Sequence, residues 1–211
     1  MKIIPAGVEL ITPINGQAIL QRLEQCGRVC YKSEGQITPG SAEKFLASII
    51  KRGHEAVLEH CSFTVKFICD RGVSHEIVRH RLASYCQEST RYCNYRKGSF
   101  GGEITVIEPC FLVEGTDGWF MWKDVCQVAE NTYFDLLDQG YSPQEARSVL
   151  PNSLKTEVVM TANIREWRHF LRLRTSPAAH PQIREVATQL LQQLQEKIPV
   201  LFDDIGEEVR A

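Results

Sequence analysis

Apolar positions along the chain recur at two spacings. From Gly16 to Ser33 they fall at Ile19, Leu23, Cys26 and Cys30, a helical spacing that predicts a helix with both cysteines on its buried face. Ser41 reads as the cap of a second helix, with Phe45, Leu46, Ile49 and Ile50 as its stripe and Gly53 as its stop. Residues 53–60, Gly-His-Glu-Ala-Val-Leu-Glu-His, read as a loop or short turn. From Cys61 to Cys69 the period drops to two. Phe63, Val65, Phe67 and Cys69 alternate with Thr64, Lys66 and Ile68, as in a half-buried strand. Asp70-Arg71-Gly72 reads as a turn, and Ser74 as the cap of a helix running through Ile77, Val78 and Arg81 into a loop by about Ser84.

The second half repeats these signals. Lys97 to Gly102 is a glycine-rich turn, and Ile104 to Ile107 a strand closed by Pro109. Asp117 opens a long helix whose predicted stripe is Trp122, Val125, Cys126, Ala129, Tyr133, Leu136 and Leu137, with Gly140 just past its end. Ser142-Pro143-Gln144-Glu145 combines an N-cap, a proline at the first helical position and a capping-box glutamate. That short helix carries Arg147 and stops at Pro151. Thr156 to Thr161 reads as a strand. Asn163 caps the next helix, with Glu166 completing a box; one face carries Trp167, Phe170, Leu171 and Arg174, another Arg165, His169 and Arg172. After a loop at 176–181, Ile183, Val186, Ala187, Leu190, Leu191 and Leu194 predict a strongly amphipathic helix ended by Pro199 and followed by an acidic tail. No repeat or linker interrupts the pattern, so the expectation is a single domain over 1–211.

Composition narrows the function. A formal net charge of −2 over 211 residues argues against non-specific nucleic-acid binding, so any basic site is local. The short apolar start is too short for a signal peptide, and no apolar run reaches membrane-spanning length; a cytoplasmic protein without membrane or nucleic-acid partners is expected. None of the eight cysteines forms a Cys-x-x-Cys pair, so reduced, mostly buried thiols are expected. There is no Gly-x-Gly-x-x-Gly, Walker loop or Gly-x-Ser-x-Gly. His75 and His80 are five apart, which suits no shared helical metal ligation, and no metal is expected.

What remains is cationic and hydrogen-bonding chemistry. The stretch from Arg79 to Tyr95 combines Arg79, His80, Arg81 and Arg91 with the hydroxyls of Ser84, Tyr85, Ser89 and Thr90, a mixture suited to phosphate oxygens. Arg147 and the segment from Asn163 to Arg174 supply two further groups. Three readings compete. The first is a catalyst that binds phosphorylated ligands and uses guanidinium groups to stabilise charge developing on a heterocycle. The second is a non-catalytic nucleotide or single-stranded RNA binder that stacks bases on Tyr85, Tyr92 and Tyr95, interleaved with Arg91 and Arg96. The third is an oligomeric scaffold using the 183–194 helix, with solvated arginines.

The motifs favour the first. Arg79-His80-Arg81, Ser84 and Ser89, spaced Arg-His-Arg-x-x-Ser-x-x-x-x-Ser and followed by Arg91-Tyr92, resemble the signature of flavin-dependent thymidylate synthases. Gly53-His54-Glu55 with Glu59-His60, Ala146-Arg147-Ser148-Val149-Leu150-Pro151, and Thr161-Ala162-Asn163-Ile164-Arg165 leading to Phe170-Leu171-x-Leu173-Arg174 are similar to that family in the same order. The resemblance implies a mixed α/β fold around an antiparallel-rich sheet flanked by helices, without a Rossmann turn. It also implies a homotetramer with shared active sites.

The implied activity converts dUMP to dTMP, with methylenetetrahydrofolate as methylene donor and NADPH-reduced FAD as hydride source, and without a cysteine nucleophile. Carried over by position, Arg174 activates the uracil and His54 lies near the flavin ring as the second catalytic candidate. Glu76, Ile77, Val78, Arg79, Gln87, Glu88, Ser89, Thr90, Arg91 and Arg147 line the dUMP site with Arg174. Ala56, Glu59, Arg79, His80, Arg81, Gln87, Asn163, Ile164, Arg165 and His169 line the FAD site. Three positions depart from the family pattern. Cys86-Gln87 stands where Asn-Glu is frequent, His169 where Asn is familiar, and Ala56 where a hydroxyl residue occurs.

Overall fold

The computed structural model describes residues 1–206. In order, its elements are β1 (Lys2–Ile4), β2 (Gly7–Leu10), α1 (Gly16–Tyr31), α2 (Ser41–Lys51), β3 (Ser62–Asp70), α3 (Arg71–Ile77) and β4 (Ala83–Gln87). There follow β5 (Thr105–Ile107), α4 (Asp117–Asp138), α5 (Pro143–Ala146), β6 (Lys155–Asn163), α6 (Ile164–Arg174), α7 (Pro181–Lys197) and α8 (Pro199–Phe202). The fold is mixed helix and strand with an antiparallel sheet flanked by helices, as expected. That sheet has the order β2-β3-β6-β4. A separate parallel pair, β1 with β5 in the register Lys2↔Thr105, was not expected. No described helix is long and apolar enough to cross a membrane.

The chain divides into two compact units. The first comprises residues 1–7, 67–79 and 86–158. Its core gathers Tyr95, Ile104, Val106, Cys126, Tyr133, Ala146 and Leu154. The long helix α4 buries Trp119, Cys126, Glu130 and Tyr133. Val125, expected on the stripe, is instead 65% exposed. Glu130 is buried because it has work there: its carboxylate accepts from the Ile104 backbone N–H at 2.9 Å and pairs with the N-terminal amine at 3.0 Å. Gly140 has φ +91° and follows the helix end, as its sequence position predicts.

The second unit comprises residues 8–66, 80–85 and 159–206 among those described. Helix α1 begins at Asn15, whose side-chain oxygen accepts from the Ala18 N–H. Its buried face is Leu20, Leu23, Glu24 and Gly27, not the one through Cys30, which is exposed. The reason is polar. Glu24 turns inward because Arg28 and the Ser41 hydroxyl both donate to it. Ser41 is also not a cap. Gly40, at φ +79°, holds the N-cap position, and the Ser41 hydroxyl accepts from the Thr38 N–H. A side chain at Gly27 would run into the Phe45 ring, so the glycine permits close packing of α1 on α2.

Strand β3 alternates as predicted, with Phe63, Val65, Phe67 and Cys69 buried. No turn follows it. Asp70 accepts from the Val73 N–H at 2.6 Å, so α3 starts at Arg71, and Ser74 lies inside it with its hydroxyl bonded to the Arg71 carbonyl. Helix α3 ends at Ile77 rather than running to Arg81. The loop expected from Ser84 is strand β4.

Helix α6 is the anchor of the second unit. Asn163 caps it, accepting from the Glu166 N–H at 2.9 Å. Trp167 stacks on Phe63 with ring centroids 5.0 Å apart and donates to the Phe63 carbonyl. Arg168 is fully buried. It forks onto both carboxylate oxygens of Asp204, at 2.8 and 2.6 Å, and donates to the Leu201 carbonyl. The α7 stripe from Ile183 to Leu194 is buried at all six predicted positions. The predicted acidic tail extends beyond the described residues.

Removing the Asp204 carboxylate leaves the buried Arg168 charge with only the Glu55 carboxylate, 3.8 Å away. Asp204→Ala is expected to lower stability by about 3 kcal/mol, the low end for a broken buried pair because Asp204 itself is partly exposed. Urea unfolding measures it. Burial would raise the Asp204 pKa, but the Arg168 and Arg172 bonds outweigh it and hold the carboxyl below its usual value. A depressed carboxylate stabilises above its unfolded pKa, and that contribution is lost as pH falls through the folded one. The wild type should therefore lose thermal stability more steeply below about pH 4 than Asp204→Ala does. Parallel curves would contradict this.

Candidate functional site

In the first unit, α3 carries Arg71 and His75 one turn apart, so they share a face. With Thr90, Arg147, Ser148 and Asn152 they line a cleft of about 310 Å³. Arg147 directly follows α5, whose position is set by the predicted capping box of Ser142 and Glu145. Arg147 donates to the Thr90 hydroxyl at 3.2 Å. Ser89 closes a tight turn: its hydroxyl accepts from the Arg91 N–H and its carbonyl from the Tyr92 and Cys93 N–H groups. Arg91 donates to Gln144 at 3.1 Å and lies 5.3 Å over the Tyr92 ring. Of the expected nucleotide residues, Thr90 and Arg147 line this cleft, while Ser89 and Arg91 are not among its lining residues.

Other expected nucleotide contacts are already engaged. Glu88 pairs with Lys155 at 2.9 Å, and Lys155 also pairs with Glu157 at 2.7 Å. Burial alone would lower the Lys155 pKa, but the two carboxylates raise it. Ile77 is fully buried, whereas Val78 and Arg79 are exposed and Glu76 is half-buried. Gln87 donates to the Ser74 hydroxyl at 3.0 Å and to the Thr156 hydroxyl at 3.3 Å. The Ser74 hydroxyl has committed its hydrogen to the Arg71 carbonyl, so the group facing it must be a donor. An amide meets that need and a carboxylate does not, which gives the departure at Gln87 a physical reason.

In the second unit the polar centre is a run of three side chains. Arg174, at the end of α6, donates its Nε–H to His80 Nε2 at 3.1 Å. His80 Nδ1 lies 3.2 Å from Glu166 Oε1. A guanidinium can only donate. His80 Nε2 is therefore the acceptor, Nδ1 carries the proton, and it donates to Glu166. Burial, with Arg174 and His169 adding to it, pushes the His80 pKa down to about 4, so the ring is neutral. Burial raises the Glu166 pKa. The Tyr85 hydroxyl donates to the His80 carbonyl at 2.5 Å, and the Phe170 ring packs edge-on 4.9 Å away.

His80, Glu166 and His169 place three potential ligand atoms within 4.8 Å of one another. Both His80 nitrogens are already used, and the adjacent Arg174 cation repels another one. This arrangement suits no metal ion.

The remaining expected flavin contacts lie in the same unit. Arg81 and His169 are exposed, and the His169 ring stands 5.7 Å from that of His80. Arg165 pairs with Glu59 at 2.6 Å. Ala56 is exposed and Ile164 buried. His54 Nδ1 shares a 2.9 Å hydrogen bond with the Tyr31 hydroxyl. The Asn163 oxygen is occupied by its cap, and Glu166 uses its carboxylate on His80 rather than to complete a capping box.

Sequence reasoning missed Arg71, His75, Glu166 and Arg168. The i, i+4 spacing of Arg71 and His75 was a usable signal once Asp70 is known to cap α3. The contacts made by Glu166 and Arg168 span 86 and 36 residues, so no local pattern announces them.

Residues 15–200 match the family described as Thymidylate synthase complementing protein. The chain is 34% identical over 190 residues to the flavin-dependent thymidylate synthase of Geobacter sulfurreducens, covering 85% of this chain and 78% of that one. It is 33% identical over 225 residues to the enzyme of the same name from Corynebacterium glutamicum, covering 98% and 87%. To that from Pyrococcus furiosus it is 35% identical over 160 residues, covering 75% and 65%. The chain belongs to the thymidylate synthase complementing protein family.

Proposed function

We propose that this chain is a flavin-dependent thymidylate synthase, converting dUMP to dTMP with methylenetetrahydrofolate as methylene donor and NADPH-reduced FAD as hydride source. The observation that carries the reading is Arg174. Its guanidinium donates to a neutral imidazole, an uncharged acceptor that orients it. A fixed cation of this kind favours ionisation at N3 of a uracil ring and polarises it for attack on a one-carbon unit.

The phosphate of dUMP is assigned to Ser89, Thr90, Arg91 and Arg147, and Arg71 and His75 face the cleft that Thr90 and Arg147 line. Guanidinium forks and hydroxyls satisfy phosphate oxygens together. The chemistry of the donor set also fits a flavin dinucleotide. Arg81 is exposed and has no ion-pair partner among the described residues, leaving its fork for a diphosphate. Arg79, Asn163, Arg165 and His169 are the other groups assigned to it, with His54 near the flavin ring. FAD, when bound and reduced, supplies the hydride that completes the methyl group. Cys86 is exposed on β4, and the reading gives it no role as a nucleophile. The proposal extends to a cytoplasmic homotetramer with active sites shared between subunits, as the resemblance implies.

A single-stranded RNA binder is the weaker reading. Its stacking platform is dismantled by the packing: Tyr95 is 3% exposed and packs against Phe100 and Tyr133, while the Tyr85 hydroxyl is spent on His80.

Purified protein should release tritium from 5-tritiated dUMP only when FAD, NADPH and methylenetetrahydrofolate are all present; release without any one of them overturns the scheme. Arg174→Ala should fold normally and lose turnover by at least about 100-fold. Full activity would remove Arg174 from the mechanism. Arg147→Ala should raise the KM for dUMP by roughly 10- to 100-fold, the loss of one charge-assisted contact, and leave flavin binding unchanged. An unchanged KM would take Arg147 out of the phosphate site.

A further inference from the structure

Glu166 carries no role in the scheme above, yet it is a carboxylate only 6% exposed and aimed at a single partner. Burying a carboxylate is costly unless a specific hydrogen bond repays it. Here that bond goes to His80 Nδ1. The opposite ring nitrogen is the acceptor for Arg174. The three groups form one directed run: guanidinium N–H to imidazole Nε2, and imidazole Nδ1–H to carboxylate.

We propose that Glu166 is a positioning residue, which holds His80 as the Nδ1–H tautomer so that Nε2 is left as an acceptor that fixes the direction of the Arg174 guanidinium. Without the carboxylate, an isolated imidazole is free to carry its proton on Nε2. That hydrogen would then point at the Arg174 N–H, donor against donor, and Arg174 would turn away. The acceptor that orients Arg174 is thus set by a residue about two helical turns upstream on the same helix. The rest of the ring's surroundings support a fixed orientation. Tyr85 holds the His80 backbone carbonyl, and the rings of Phe170 and His169 pack against its faces and edge.

The assignment changes the expected role of His80. By resemblance the ring would contact FAD, but both its nitrogens are used within the protein and it is 5% exposed. Its contribution passes through Arg174. The consequence for catalysis rests on the thymidylate synthase reading; the tautomer does not.

The test begins on ligand-free protein labelled with 15N-histidine and 15N-arginine, near neutral pH. His80 is identified by the signal lost in His80→Gln. The wild type should show His80 protonated at Nδ1 and bare at Nε2, with an Arg174 Nε–H slow to exchange with water. Glu166→Gln keeps an oxygen acceptor and should preserve both signatures. Glu166→Ala should lose the tautomer bias and speed Arg174 exchange. In the tritium assay, Glu166→Ala should lower kcat on the order of 10- to 100-fold with little change in the KM for dUMP, as expected when a reacting group is misaimed; Glu166→Gln should recover most of it. An Nε2–H tautomer in the wild type overturns the proposal. So does Glu166→Ala with wild-type tautomer and exchange. If Glu166→Ala does not fold, the wild-type and Glu166→Gln spectra still decide. Wild-type protein with the Nδ1–H tautomer but no tritium release supports the positioning and contradicts the thymidylate synthase reading, so the two fail separately.

Discussion

The burial of the Arg168 guanidinium is the constraint from which the second unit follows. A buried cation needs its donors directed at acceptors, and the fork onto Asp204 with the Leu201 carbonyl takes three of them in one geometry. That geometry sets the rotation of α6 about its axis. Trp167, stacked on Phe63, allows only the same rotation. Once α6 is locked, Glu166, His169 and Arg174 have no freedom to choose their faces. Arg168 and Arg174 lie six residues apart on one helix: the first pairs with a carboxylate to hold the helix, and the second donates to a neutral imidazole.

The first unit uses a different device for the same end. Its donors are small and local: a capping box that places Arg147, a tight turn at Ser89, and one helical turn between Arg71 and His75. None of these groups is deeply buried except Thr90, so the cleft keeps charged donors open to a ligand. The acidic neighbour, Glu88, is kept occupied by Lys155. For the anion proposed here, that pairing offsets the Glu88 charge.

Much of the architecture was legible because periodicity reports burial directly. The β3 alternation and the six-residue α7 stripe were read correctly, as were the caps at Asn163 and Ser142. The short strands β1, β2 and β4 were not. Ala-Ser-Tyr-Cys-Gln has no apolar alternation, and it is a strand because β6 supplies its partner. Asp70 was read as a turn because Asp-Arg-Gly suits a turn and a cap equally; the choice falls to the helix that follows. Cys30 and Val125 were placed on buried faces because periodicity ignores the ion pairs that draw Glu24 and Glu130 inward. The arginines of the site were legible as residue types, and the family resemblance gave them roles. Which of them are structural was not legible, since Arg168 meets Asp204 across 36 residues and looks locally like any solvated cation.

On the proposed reading, these guanidinium groups serve a flavin and a nucleotide in one reaction. The most direct measurement is the visible absorption of the purified protein, before and after adding FAD and removing the excess. The account predicts retained flavin absorbance near one equivalent per chain, bleached by NADPH when dUMP is present. A colourless protein that retains no flavin after addition would contradict it.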